Sequence, residues 1–306
     1  MKFVDRTWLA ANPEVLLILF FLPVLVFGAF WFELCFPTLG HISFVLDHYI
    51  VPVVLGLLIS LLAVGLHSWR DGLKIGMLCS FSVFAHFNFK AWVPLVNPLL
   101  FDYELNKIDL YVRIPEFARR LRVSLDVASG LDLGFLYHGL FVFLFFLCFL
   151  FVGMRGGTSE VRRLNYSMCF VLLLGGVLYW VLPALGPFVY FGGNGAQLYM
   201  EHLNDQIRIS GAIPDGFFIQ GMAAMPSLHL AHATVFVLHA LRASPRVSVI
   251  FVAGWLWFFI ESMASGWHYF ADIPVGVMLG CLAVLASNRT CLGNSFRATP
   301  ESLALN

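Results

Sequence analysis

His229, His268 and Asp272 are titratable residues set in a chain that is otherwise strongly apolar. His229 belongs to "MPSLHLAHA", where Pro226, Ser227 and the histidine stand at the threshold of an apolar segment. Hydrocarbon is a poor solvent for a group that charges near neutral pH, so a histidine there calls for a reason. His268 and Asp272 lie four residues apart in "SGWHYFAD", a spacing that stacks them on one face if a helix begins there. A carboxylate one turn away can hold an imidazole in one tautomer and raise its basicity. That is the orientation a nucleophilic histidine needs. Each residue alone fits a structural role, because interfacial histidines and helix caps are common. As an ordered set they point to chemistry.

The elements that must position them are membrane helices. The 306 residues are 60% hydrophobic and 12% charged, and 32 are phenylalanine. A soluble domain of this length needs far more polar surface. The formal net charge is zero, which leaves no electrostatic footprint for nucleic acid. The six cysteines stand singly, without CxxC or Cys/His spacing, and His229 with His232 lacks a third ligand, so no metal site is expected. Bilayer hydrocarbon takes about 20 residues per helix. Apolar runs near 15–36, 49–69, 73–89, 133–153, 164–185, 228–242, 247–263 and 269–286 predict an all-α polytopic bundle of about eight spans. The first run lacks a small-residue cleavage pattern and reads as a retained anchor. Neither repeats nor a low-complexity linker divide the chain, so 1–306 reads as a single membrane domain.

Loop charges set the sidedness. With the N-terminus inside, Arg70, Lys74, Arg155, Arg162, Arg163, Arg242, Arg246 and Arg289 fall on the cytoplasmic side, as do the terminal Lys2, Arg6 and Arg297. Lys90, Lys107, Arg113, Arg119, Arg120, Arg122 and Arg208 fall outside, six of them in the 90–132 connection. There "EFARRLRVSLDV" repeats Phe117, Leu121 and Leu125 at helical spacing, which predicts an amphipathic helix, either in the headgroup layer or solvated. Lys90, Ser227, His229, His268 and Asp272 then share the extracytoplasmic side.

At this point the motifs become specific. "KAWVPLVNP", "PSLH" and "ESMASGWHYFAD" occur in that order. They resemble the type 2 phosphatidic acid phosphatase superfamily, whose motifs read Lys-x6-Arg-Pro, Pro-Ser-Gly-His and Ser-Arg-x5-His-x3-Asp. "FDYELNKID" (Asp102, Leu105, Ile108, Asp109), "LPALGP" and "GWHYFADIPVG" look most like its inositolphosphotransferase branch, which includes fungal inositol phosphorylceramide synthases. The likeness covers about 85–285. It implies that His268 attacks a lipid phosphorus to form phosphohistidine, that Asp272 orients it, and that His229 moves the proton of the leaving and accepting oxygens. It implies phosphate contacts from Lys90, Ser227, Asn97 and Ser262, and no cofactor.

Two departures bear on the substrate. Asn97 and Ser262 stand where the motifs carry arginine, and Glu261 stands for the serine. A phosphodiester carries one negative charge and suits a site with fewer cations than a monoester dianion does. Arg113 or Arg208 could also replace the missing charge in space. The expectation is a lipid phosphotransferase that moves a phosphate-bearing headgroup from a membrane phospholipid or polyprenyl phosphate to a lipid or sugar alcohol. The alternative is a lipid phosphate or polyprenyl diphosphate phosphatase. A transporter or membrane scaffold fits less well, because the polar residues cluster at one face rather than at mid-membrane.

Overall fold

The computed structural model describes residues 12–35, 69–214 and 225–292. The expected span at 49–69 lies almost wholly outside these residues. Among the described residues every element is helical. In chain order they are α1 (Pro13–Trp31), α2 (Trp69–Ala91), α3 (Val93–Val96), α4 (Asp102–Val112), α5 (Ile114–Ser129), a 3-10 turn (Leu133–Phe135) and α6 (Leu136–Leu178). Then follow α7 (Phe188–Phe191), α8 (Gly195–Ser210), α9 (Leu228–Ala243), α10 (Pro245–Ala264) and α11 (Asp272–Leu292).

Among the described residues four helices, α1, α6, α10 and α11, are long and apolar enough to cross a membrane by length and composition. The surface they present agrees with that reading. Phe20, Phe27 and Phe30 of α1 are 71%, 67% and 82% exposed, while Leu17, Phe21 and Leu25 turn inward. Such a continuous apolar exterior is what lipid, not water, stabilises. The chain is an integral membrane protein.

The 43 residues of α6 are too many for one crossing. Gly157 breaks the helix with φ 64° and ψ −161°, a region open to glycine and costly for other residues. Beyond it the chain doubles back, because His232 of α9 meets both halves. Its ring lies 5.9 Å from that of Phe141, and its Nε2 lies 3.3 Å from the Met168 carbonyl. The two runs expected at 133–153 and 164–185 are therefore the two arms of this hairpin.

Helix α9 is the centre of the bundle, flanked by both arms of α6, by α10 and by α11. It buries Leu230, Ala231, Ala233, Val235, Phe236 and Ala240 almost completely. Glycines let α11 approach its backbone. A Cβ at Gly276 would collide with the Ser227 carbonyl, and one at Gly280 would lie 2.5 Å from the Ala231 carbonyl. This small-residue packing sets Ser227 and Asp272 side by side.

The 90–132 connection holds two of the site's supports. Arg113, with φ 59°, separates α4 from α5. The expected amphipathic helix exists, but its inward face differs. Ala118 and Arg122 are buried, whereas Phe117, Val123 and Val127 are 66%, 60% and 79% exposed. Of the expected stripe, Phe117 faces outward while Leu121 and Leu125 are half-buried, and the ion pair of Arg122 with Glu261 claims the innermost position.

Candidate active site

The second motif sits at the start of α9. Ser227 is the N-cap residue of α9, and its amide donates to the Asp272 carbonyl at 3.2 Å. Its hydroxyl is buried without a hydrogen-bond partner among the described residues. A buried hydroxyl beside unpaired helix amides is suited to an anionic oxygen. His229 follows, within an aromatic wall formed by Tyr137 and Phe141, whose rings lie 4.7 and 4.9 Å from it. His138 stands edge-on to it at 5.9 Å. Lys90, at the end of α2, and His268 both lie within electrostatic reach of His229.

The third motif corrects a detail of the sequence reading. A helix was expected from 269, with His268 stacked on Asp272 near its mouth; α11 instead begins at Asp272. Asp272 Oδ2 accepts the Tyr269 amide at 2.8 Å, which closes the turn before the helix. The same oxygen lies 3.3 Å from His268 Nδ1. Both side chains are buried, His268 at 5% and Asp272 at 0% exposure. The pair is built into the core and not hung at its edge. Asp272 Oδ1 is also buried without a hydrogen-bond partner among the described residues.

Two expected phosphate ligands have other work in this structure. Asn97 caps α3: its Nδ2 donates to the Trp180 carbonyl at 2.9 Å and its Oδ1 accepts from the Leu99 amide at 3.2 Å. Ser262 is fully buried and its hydroxyl donates to the Phe259 carbonyl at 3.3 Å. The Ser262 carbonyl accepts the His268 amide at 3.1 Å, so this residue supports the histidine through its backbone.

Arginines reach this region from α5, not from the positions anticipated. Arg113 and Arg208 are exposed. Arg122 is buried, with Nε 2.5 Å from Glu261 Oε2, Nη2 2.8 Å from Asp132 Oδ1, and Nη1 paired with Asp126. Glu261 is thus a buried ion-pair partner. Three carboxylates around one guanidinium leave little positive potential for a substrate.

Carboxylates of α4 supply a scaffold that the sequence patterns did not reveal. Asp102 accepts the Leu185 amide at 3.0 Å and the Gly186 amide at 2.9 Å, and also the Tyr269 hydroxyl at 2.7 Å. Asp109, two turns on, accepts the Phe270 amide at 2.8 Å. One face of α4 therefore fixes both the 183–187 segment and the residues just after His268. Burial pushes the Asp109 carboxyl up to about 6; the Phe270 amide and Arg119 oppose this, and the Asp272 charge adds to it. Tyr137, His138, Asp102 and Asp109 are the residues that motif reading missed in these roles. The seven-residue spacing of the two aspartates, with Leu105 between them on one helical face, was the available signal.

A family model described as the PAP2 superfamily matches residues 111–286. The match contains Ser227, His229, Ser262, His268 and Asp272, while Lys90 and Asn97 precede it. No curated protein and no solved structure matches the chain.

Proposed function

The chain belongs to the PAP2 superfamily, whose members are phosphatases and phosphotransferases acting on phosphate esters, and we propose that it is a lipid phosphotransferase working through phosphohistidine. The observation that carries the reading is the contact of His268 Nδ1 with Asp272 Oδ2. It assigns one tautomer to the ring and gives attack to Nε2. In the first step the Nε2–P bond forms and the bond from phosphorus to the lipid-alcohol oxygen breaks. His229 gives that oxygen a proton, while Asp272 stabilises the positive ring. In the second step an acceptor alcohol loses its proton to His229, its oxygen bonds phosphorus, and the N–P bond breaks. Lys90, Ser227 and the first amides of α9 offset charge on the other phosphate oxygens.

Charge supply favours a diester donor and an alcohol acceptor. Asn97 and Ser262 are engaged with backbone carbonyls, and Arg122 is saturated by carboxylates. A monoanionic diester needs less neutralisation than a dianionic monoester. The reading places the site on the extracytoplasmic face. Arg242 and Arg289 lie at the ends of α9 and α11 opposite His229 and Asp272, as the positive-inside rule requires.

The test is purified protein in detergent given phosphatidylglycerol or phosphatidate, with and without an added alcohol. Higher kcat/KM for the diester and a product carrying the alcohol support transfer. A preference of about tenfold or more for the monoester, with water as acceptor, would make the protein a lipid phosphatase instead.

A further inference from the structure

Among the buried polar atoms of α4 and α5 that have no hydrogen-bond partner among the described residues, Asn106 Oδ1 included, two belong to Asp109 and Arg119. Asp109 is 7% exposed; its Oδ1 holds the Phe270 amide, while its Oδ2 has no hydrogen-bond partner among the described residues. Arg119 lies on the same wall. Its guanidinium carbon sits 4.2 Å over the Phe191 ring, and its Nη1 is buried, again without a hydrogen-bond partner among the described residues. Phe191 ends α7, which is tied to the catalytic loop through the Phe188 amide and the Gly266 carbonyl, 3.1 Å apart. Asp109 lies within electrostatic reach of both Arg119 and Asp272, and its bond to the Phe270 amide ties it to the loop that carries His268. Yet the carboxylate and the guanidinium do not bond each other directly.

Leaving a buried acceptor and a buried donor unsatisfied is costly, each by about 1–3 kcal/mol. A phosphate oxygen satisfies only the donor. A hydroxyl satisfies both, because it donates one hydrogen and accepts through its lone pairs. We propose that Asp109 and Arg119 form a headgroup subsite in which a substrate hydroxyl donates to Asp109 Oδ2 and accepts from Arg119 Nη1. The proposal rests on the reading of the neighbouring site as one for phosphate-bearing lipids. The hydroxyl belongs to a polyol, supplied either by the donor's headgroup or by a free acceptor. The Phe191 ring keeps the guanidinium plane in place, so the subsite is set before the ligand arrives.

The experiment measures binding to full-length His268→Ala protein in mixed micelles, so turnover plays no part. A failed transfer reaction is thereby separable from a failed subsite. Phosphatidylglycerol is compared with phosphatidylpropanol, which lacks the headgroup hydroxyls. In a second arm, free glycerol and free propanol are compared as stabilisers in the presence of phosphatidylpropanol. The subsite predicts that one arm shows a preference for the hydroxylated ligand, of about fivefold, and that arm names the source. Asp109→Asn, which keeps the Oδ1 bond to Phe270, and Arg119→Met should each bring that preference to unity. If Arg119→Met does not fold, Arg119→Lys replaces it and should reduce the preference, since a point charge lacks the planar fork. Equal affinities in both arms, or a preference that survives Asp109→Asn and the folded Arg119 variant, would overturn the subsite and leave water as the bridging group.

Discussion

Asp272 serves His268 Nδ1 and the Tyr269 amide with one oxygen, Oδ2, at 3.3 and 2.8 Å. The carboxylate therefore fixes the loop and the ring in a single contact. Asp272→Asn should lower kcat by about 10³ or more, the scale seen when an aspartate that sets a histidine's tautomer is replaced. KM should move little, because the substrate does not touch the carboxylate. A kcat within about tenfold of wild type would remove Asp272 from the mechanism.

His229 should matter in proportion to the basicity of the leaving oxygen. With an alkyl leaving group, His229→Ala should cost about 10²–10⁴ in rate, the range of general acid catalysis. With a 4-nitrophenyl leaving group, which departs without a proton, the first step should lose much less. Equal losses with both donors would show that His229 does not protonate the departing group.

Arg122 and Glu261 should behave as a buried pair. Arg122→Met strands Glu261, with a 5% exposed side chain, beside Asp126 and Asp132, and should cost about 3 kcal/mol in stability. The double change Arg122→Met, Glu261→Leu should recover part of that loss. Thermal unfolding in detergent is the readout, and additive losses would refute the coupling.

Gly276→Ala should separate α11 from α9, since the new methyl meets the Ser227 carbonyl. Overpacking of this kind costs about 1–3 kcal/mol. Ser227 and Asp272 share the contact, so kcat should fall along with Tm. Full activity in a stable Gly276→Ala protein would mean that the helix spacing is not tuned for the site.

Asp109 makes stability pH-dependent. Its carboxyl rises from the ordinary 3.8 to about 6 in the fold, mainly through burial, with the Phe270 amide, Asp272 and Arg119 facing it. Between those values the folded state holds more protons than the unfolded state, so this residue's contribution is fully present below about 4 and is lost as pH rises through about 6. Asp109→Asn should flatten that part of the unfolding-versus-pH curve. An unchanged curve would contradict the assignment.

The sequence made His229, His268 and Asp272 legible because their relation is local: a capping position and a four-residue spacing survive as pattern. It also placed the apolar runs that became α1, the α6 hairpin, α10 and α11. The supports were hidden because their partners are remote in sequence. Arg122 meets Glu261 139 residues away, and Asp102 meets Tyr269 167 residues away. Nothing in a one-dimensional pattern announces such pairs. The bonds of Asn97 and Ser262 to the Trp180 and Phe259 carbonyls were out of sight as well, because a motif position says which residue stands there and not what its side chain touches.

The central claim is that phosphorus is transferred through His268. The most direct measurement is to mix the protein with a lipid donor labelled with ³²P, quench it within a turnover, and map the label by peptide. The account predicts label that survives alkali but not acid, as a phosphoramidate should, confined to the peptide containing His268 and absent from His268→Ala. Label on another peptide, or label retained by His268→Ala, would contradict it.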